Sequence, residues 1–377
     1  MNTKIAVESS ASNGPEVVAE VHGHVGLITL QRPAALNALT MPMIRSLSRH
    51  LLAWRDDPRV QAVAIRGSNK AGPFGAFCAG GDIRFFHQAA LSGSSELAQF
   101  FTEEYELNHL IHTYSKPYIA FMDGVVMGGG MGISQGAAVR IVTERTRMAM
   151  PETNIGLFPD VGGGYFLSRC PGRIGEWLAL TGETIGVGDA LDFGLADVCF
   201  SVTSLPAAWN ALASSDLSRP GAIDQWSAMF ALTHHAYSTR STEEIDHCFA
   251  QHDVPAIVAA LEADPSTWSQ HTLATLRRRS PLMLHVVLSQ IRRARTLSLG
   301  DDLRLERDLI EHCFHPGHLG REAHQSEAVE GIRAVAIDKD NTPRWKPGRI
   351  EDVSAAMVEP FFNSPWSPQE HPLRHLR

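Results

Sequence analysis

Short β-type runs alternate with glycine-rich loops and helical stretches over the first 200 residues, and this alternation constrains the fold more than any other feature of the chain. Strands that alternate with helices build an α/β domain whose ligand-binding loops lie at strand ends. Residues 17–21 and 27–30 are β-rich and are separated by Gly23 and Gly26, which predicts a hairpin. Gln31-Arg-Pro-Ala-Ala-Leu-Asn37 breaks the second run. Thr40, two residues before Pro42, predicts a helix start, and Asp57-Pro58 ends that helix after Arg55. Residues 60–65 form a buried-type strand, residues 67–81 a glycine-rich loop, and Asp82 opens a helical stretch. A longer helix covers 96–114. Strands follow at 118–122, 139–142 and 147–150, with a helix starting at the glycine cluster between the first two.

From residue 205 the pattern turns helical, with candidate helices at 205–214, 242–251, 254–263, 268–278, 281–295 and 303–312. The expected organisation is a lead-in over 1–15, an α/β core over 16–204 and a mainly helical region over 205–377 that packs on the core.

With 377 residues and 44% hydrophobic content the chain has ample material for a buried core, as one large domain or two. A net charge of -8 argues against nucleic acid as the main partner, because phosphodiester binding needs clustered lysine and arginine. It leaves room for a phosphorylated small molecule, which needs one local basic patch. Five cysteines, odd in number and without a Cys-x-x-Cys pair, point to free thiols in a reducing compartment. The N-terminus shows neither a secretory pattern nor the arginines of a mitochondrial presequence, and no run approaches the roughly 18 apolar residues that span a bilayer. The expected location is cytoplasmic, with no membrane association. The 18 histidines form no convergent set of three or four, so no metal site is expected. Arg277-Arg-Arg279 and Arg292-Arg293 read as solvated helix faces or subunit contacts, and the tail around Asp338-Lys-Asp340 and Trp345-Lys346 reads as a cover over a pocket.

Three segments carry chemistry. Ala76-Phe-Cys-Ala-Gly-Gly-Asp82 keeps backbone N–H groups open to a ligand because no bulky side chain covers them; a plain surface loop has the same composition. Met127-Gly-Gly-Gly-Met-Gly132 stands at a strand-to-helix transition. Unpaired N–H groups there favour an anion, and close helix packing explains the same glycines. The segment matches neither Gly-x-Gly-x-x-Gly nor a phosphate-binding loop with Gly-Lys-Ser/Thr. In the third, Glu152 and Asp160 sit eight residues apart in an apolar stretch punctuated by proline and glycine. A carboxylate in such surroundings is hydrogen-bonded or used in chemistry, and a capping role fits Asp160 as well.

In this order, and with Leu30-Gln-Arg-Pro-Ala-Ala-Leu-Asn-Ala-Leu39, Lys116-Pro-Tyr-Ile-Ala120 and Thr181-Gly182, the segments resemble the crotonase (enoyl-CoA hydratase/isomerase) superfamily. The resemblance implies an α/β fold of the ClpP/crotonase type, a spiral of ββα units, here followed by a C-terminal helical region. Within the superfamily, Pro151 to Gly164, Glu103-Glu-Tyr-x-Leu-Asn108 and the tail from Glu330 to Pro347 resemble the hydrolases of short 3-hydroxyacyl-CoA thioesters, 3-hydroxyisobutyryl-CoA above all, an activity of valine breakdown. By that resemblance the backbone N–H groups of Cys78 and Gly129 form an oxyanion hole. Glu152 acts on the thioester carbonyl as nucleophile or general base, Asp160 binds the substrate's β-hydroxyl and assists proton transfer, and Glu104 lines the acyl pocket.

Coenzyme A contacts are expected from the turn with Arg32, Ala35 and Leu36 and from Ala76, Asp82 and Ile83. Arg32 and Arg84 are candidate phosphate partners or plain surface charges. No cofactor is implied beyond the coenzyme A of the substrate, and assembly as a trimer or dimer of trimers is expected unless the longer C-terminal part replaces those contacts. Hydratases carry a second glutamate where this chain has Gly132, which disfavours enoyl hydration. An enoyl-CoA isomerase or hydratase remains the alternative, and a non-catalytic CoA- or RNA-binding relative a third.

Overall fold

Nine strands and sixteen helices run through residues 14–217, 219–233 and 237–377, the part of the chain described by this computed structural model. The expected lead-in over 1–15 thus lies, up to residue 13, outside the described residues. The strands are β1 (Val17–His22), β2 (Val25–Leu30), β3 (Ala62–Asn69), β4 (Gly72–Pro73), β5 (Tyr118–Met122), β6 (Val125–Met127), β7 (Val139–Val142), β8 (Arg147–Ala149) and β9 (Val198–Cys199). β1 and β2 form the expected hairpin, with Val17 opposite Leu30. From β2 onward the main sheet is parallel in the order β2-β3-β5-β7-β9, with β4 folded back on β3, while β6 and β8 pair as a separate parallel ribbon.

Alternation within the strands sends side chains to two different cores. In β5, Ile119 and Phe121 join a cluster with Phe74, Phe200, Trp209 and Trp226 on one face. Tyr118, Ala120 and Met122 join a larger cluster on the other face that runs from Val17 to Leu376. Both faces are therefore covered, and all five β5 residues are buried.

The helices of the first part are α1 (Met41–Arg55), α2 (Ile83–Ser92), α3 (Glu96–His112), α4 (Gly129–Gln135), α5 (Gly163–Leu167), α6 (Ile174–Thr181) and α7 (Val187–Asp192). Beyond β9 come α8 (Leu205–Ser214), α9 (Ala222–Phe230), α10 (Thr242–Phe249), α11 (Val254–Ala263), α12 (Thr267–Leu276), α13 (Pro281–Ala294), α14 (Leu299–Phe314), α15 (Glu327–Ile332) and α16 (Ala355–Val358). α8 and α9 cover the smaller core, whereas α13 and α14 pack on α3, α5 and α6 and belong to the larger one.

Local sequence sets where the later helices begin. Ser241, Asp253, Ser266, Ser280, Ser298 and Ser326 each accept a hydrogen bond from the backbone N–H three residues on. Such a cap contributes about 1 kcal/mol. The cap at Ser298 makes α14 start four residues before the expected 303, which brings Asp302 into its first turn.

Candidate active site

Two small-residue segments meet backbone to backbone beneath α3. The first is anchored by Asn37, a buried residue at φ 58° whose Nδ2 donates to the carbonyls of Ser68 at 2.8 Å and Ala76 at 2.9 Å. Arg32 tightens the same corner: its guanidinium donates to Asp82 Oδ2 at 2.8 Å and to the Ala38 carbonyl at 2.9 Å. These bonds fix the path of residues 76–82. The second segment is the start of α4, where Gly128 at φ 48° turns the chain and Gly129 opens the helix. A Cβ on Gly130 would fall 2.3 Å from the Cys78 carbonyl oxygen, so only glycine permits this approach.

The pairing of the first segment overturns one expectation. The Cys78 N–H donates to the Val125 carbonyl at 2.9 Å, and the Cys78 carbonyl accepts from the Met127 N–H at 3.0 Å. Both backbone groups are consumed in a bridge to β6, so Cys78 cannot be an oxyanion donor. Its thiol is buried and pushed up to about 12 by desolvation, which also removes it as a nucleophile. Gly81, three residues on, keeps its own N–H open instead. It bridges Leu39 through its neighbours, with the Leu39 N–H donating to the Gly80 carbonyl at 2.7 Å and the Asp82 N–H to the Leu39 carbonyl at 3.1 Å. Gly81 therefore turns its own N–H away from Leu39. Among the described residues no acceptor meets the N–H of Gly81 or of Gly129.

Both glycines line a cavity of about 180 Å3 together with Glu104, Glu152, Asp160, Ile83, Phe86, Phe101, Leu157, Val161 and Val335. The walls are apolar and the polar groups converge. Glu152 opens a short helical turn, Glu152–Ile155, directly after β8. One of its oxygens lies 2.8 Å from where a Cβ on Gly128 would stand, and Oε2 is buried with no hydrogen-bond partner among the described residues. Glu104, on α3, reaches to 2.7 Å from the Cβ position of Gly129, and its Oε1 is likewise buried and unpartnered. Asp160 differs, because the Tyr105 hydroxyl donates to its Oδ2 at 2.9 Å.

Three carboxyls around one small apolar cavity cannot all ionise at their ordinary pH. Burial, and then the charge of Asp160, hold both Glu152 and Glu104 well above the usual carboxylate range. Asp160 is raised by burial to about 6, with the Tyr105 hydrogen bond opposing the rise.

The loop that carries Asp160 is held from far along the chain. Val161 sits at φ 57°, a conformation a β-branched residue adopts only under constraint. Gly162 and Gly164 donate their N–H groups to Glu306 at 2.7 and 3.0 Å, and Tyr165 donates to Asp302 Oδ2 at 2.6 Å. The N-terminus of α5 is thus capped by two acids of α14, and Gln290 adds a bond to the Pro159 carbonyl at 2.7 Å. Val161 in turn fills the space beside Gly132, where an added Cβ would fall 2.6 Å from the Val161 Cβ.

A model of the enoyl-CoA hydratase/isomerase family matches residues 25–362. The chain belongs to this family. Among curated relatives it is 39% identical to the mitochondrial 3-hydroxyisobutyryl-CoA hydrolase of Danio rerio, covering 94% of this chain and 91% of that one. It is 38% identical to 3-hydroxyisobutyryl-CoA hydrolase 1 of Arabidopsis thaliana, covering 95% and 93%. Among solved structures, a carnitinyl-CoA dehydratase from Mycobacterium thermoresistibile superimposes with a TM-score of 0.84 at 36% identity, over 94% of this chain and 98% of that one. An enoyl-CoA hydratase from Rhodobacter sphaeroides gives 0.82 at 37%, over 93% and 98%. The crotonase-type fold implied by the motifs is thereby established.

The expected site residues of this family member fall into two groups. Glu104, Gly129, Glu152, Asp160 and Ile83 meet at the cavity. Arg32 and Asp82 are spent on each other, the Ala76 carbonyl is spent on Asn37, and Ala35 and Leu36 lie on the outer turn, where the Leu36 carbonyl accepts from Ala79. None of these five lines the cavity. Arg84 is exposed, with no carboxylate within ion-pair distance among the described residues. Sequence reasoning missed Gly81, Tyr105 and the Asp302–Glu306 pair. Tyr105 stood inside the Glu103-to-Asn108 motif as the residue after Glu104, and a buried tyrosine needs a partner for its hydroxyl. Among the described residues no helix is long and apolar enough to cross a membrane.

Proposed function

We propose that this chain hydrolyses a short 3-hydroxyacyl-CoA thioester, with 3-hydroxyisobutyryl-CoA as the first candidate. One observation carries the reading: two unpaired backbone N–H groups and two unpartnered buried glutamates converge on one small cavity, and the space a hydratase's second glutamate would need is filled by Val161. The thioester oxygen accepts from the N–H groups of Gly81 and Gly129, which stabilise it most when negative charge has developed on it. The carbonyl carbon then faces Glu152, and the substrate's 3-hydroxyl faces Asp160 and Glu104.

Two routes share this geometry. In one, the Glu152 carboxylate adds to the carbonyl carbon, the C–S bond breaks, the thiolate of coenzyme A leaves and takes a proton, and water opens the resulting anhydride. In the other, Glu152 takes a proton from water, whose oxygen adds to the same carbon before the thiolate leaves. Single turnover in water labelled with oxygen-18 separates them, because only the anhydride route can leave label in the Glu152 carboxyl. Neither route draws on a cofactor beyond the substrate's coenzyme A, and turnover should survive exhaustive chelation.

The test of the activity itself is thiol release from 3-hydroxyisobutyryl-CoA, with crotonyl-CoA in parallel. Release from the first and none from the second supports the reading; hydration or isomerisation of crotonyl-CoA without thiol release overturns it. The second reading, enoyl-CoA hydratase or isomerase, is favoured by the names of the two superimposed structures and opposed by Gly132 and Val161. A 3-hydroxypropionyl substrate differs by one methyl group, a distinction worth only about 1–3 kcal/mol, so relative kcat/KM values decide the acyl group. For location we propose the cytoplasm, on the strength of five buried free thiols; the word mitochondrial belongs to some relatives' names, and cell fractionation tests the point. For assembly, α13 and α14 pack on the core within one chain, which supports a self-contained subunit over the trimer; light scattering reads the mass.

A further inference from the structure

Among the described residues a single one from beyond Val161 lines the active cavity, and it is Val335. The tail that reads from the sequence as a cover over a pocket thus reaches the site through one apolar side chain. Val335 also lines a larger hollow of about 590 Å3 outside the cavity, as does Asn154. The two residues stand at the neck between a small space and a large one. Asn154 is tethered there, because Arg279 donates to its Oδ1 at 2.7 Å. Val335 is half-buried and has no polar group to offer, so what it contributes at the neck is bulk.

The backbone sets where that bulk stands. α15 rests directly on the turn that carries Glu152. A Cβ on Gly331 would fall 2.3 Å from the Ile155 carbonyl carbon, and a Cβ on Gly156 would fall 2.2 Å from the Glu327 carbonyl oxygen. Residues three, four and seven apart share a helix face, so position 335 prolongs the face of Ala328 and Gly331. Past Ile332 the helix widens into a π-type turn, Arg333–Ile337, in which the Asp338 N–H donates to the Arg333 carbonyl five residues back at 2.9 Å. Turns of this kind are rare and recur at functional sites. Arg333 holds the turn in shape, donating to Glu330 at 2.9 Å, Asp338 at 2.6 Å and Asp340 at 2.8 Å, and the Asn341 N–H donates to the Ala334 carbonyl at 3.0 Å. Val335 is therefore a wall set at a fixed place relative to Glu152.

The cavity behind this wall is small. Sites for drug-sized ligands hold roughly 300–1,000 Å3, whereas 180 Å3 suits only a short acyl group. The inner walls offer no further room, since Phe86 and Phe101 are buried with their ring centroids 4.9 Å apart. A longer chain could be housed by running through the neck into the outer hollow, and Val335 stands in that neck.

We propose that Val335 sets the upper limit on acyl length by closing the cavity against the outer hollow. The assignment rests on the thioester-hydrolase reading and names the residue that restricts it to short chains. The experiment compares kcat/KM for 3-hydroxyhexanoyl-CoA with that for 3-hydroxyisobutyryl-CoA in wild type, Val335→Ala, Val335→Thr and Ile337→Ala, the last at an exposed residue of the same turn. The ratio of longer to shorter substrate should rise about tenfold in Val335→Ala, the scale on which a hydrophobic pocket sorts one methylene. It should hold its wild-type value in Val335→Thr, which keeps the bulk, and in Ile337→Ala. A ratio that does not rise in Val335→Ala, or that rises as much in either of the other variants, overturns the proposal. If no thioester is turned over, the hydrolase reading fails by itself, and calorimetry with the two intact thioesters still reads the neck. The relative affinity for the longer one should then rise about tenfold in Val335→Ala, and an unchanged relative affinity overturns the proposal.

Discussion

Glu152 and Glu306 are both buried glutamates held above the usual carboxylate range by desolvation, and they do opposite things. Glu306 spends its oxygens on the N–H groups of Gly162 and Gly164 and on Gln290. Glu152 keeps Oε2 bare in a cavity. Asp302 accepts from the Tyr165 N–H on Oδ2 and keeps Oδ1 bare, as Glu104 keeps Oε1, but only Glu104 lines the cavity. Burial and raised proton affinity are common to both clusters, so neither property marks a reacting group. What marks it is a bare oxygen with open space in front of it.

Breaking this contrast should produce effects of different kinds. Glu152→Gln keeps the shape and removes the proposed nucleophile or base, and thiol release should fall about 10³-fold with the melting curve nearly unmoved. Glu306→Ala leaves two buried N–H groups without acceptors, which should cost about 3 kcal/mol in a denaturant titration. If Glu306→Ala instead abolished turnover in protein of wild-type stability, the contrast between the clusters would collapse. Gly132→Ala tests the wall between them, because the added methyl meets Val161; a loss of about 1–3 kcal/mol is expected.

Titration gives the smallest and sharpest comparison. Asp160 is raised to about 6 and Glu152 is also held above the ordinary carboxylate range, so the proposed roles of both as ionised groups require kcat/KM to climb with pH to a limb at about 6 or above. Asp302 is raised to about 7 and has no substrate to meet. A raised carboxyl contributes stability that is complete below its ordinary value and is lost as pH rises through the folded value. Melting temperatures should therefore carry a decline up to about pH 7 that Asp302→Asn flattens, while the activity limb stays in place in that variant.

The alternation of strands and helices, the hairpin and most helices after 205 were legible because periodicity and caps are local. Glu104, Glu152 and Asp160 were legible through their motifs. Cys78 failed for a definable reason. Residues 76–82 offer several small residues in a row, and which N–H remains open depends on pairing with Val125 and Leu39, contacts some 40 residues away in either direction. Asp302 and Glu306 were invisible because Asp-Asp-Leu-Arg-Leu-Glu-Arg-Asp reads as a solvated helix face, and only packing against α5 buries its acids.

The anchoring of the Asp160 loop by α14 carries a consequence for synthesis. The ribosome delivers Gly81, Gly129, Glu152 and Asp160 well before it delivers Asp302 and Glu306, and the N–H groups that those acids cap have no acceptor in the meantime. The reacting set is complete in composition by midway through translation and complete in geometry only near the end. A chain that stops short of residue 306 should therefore hold the Asp160 loop loosely and turn over little substrate.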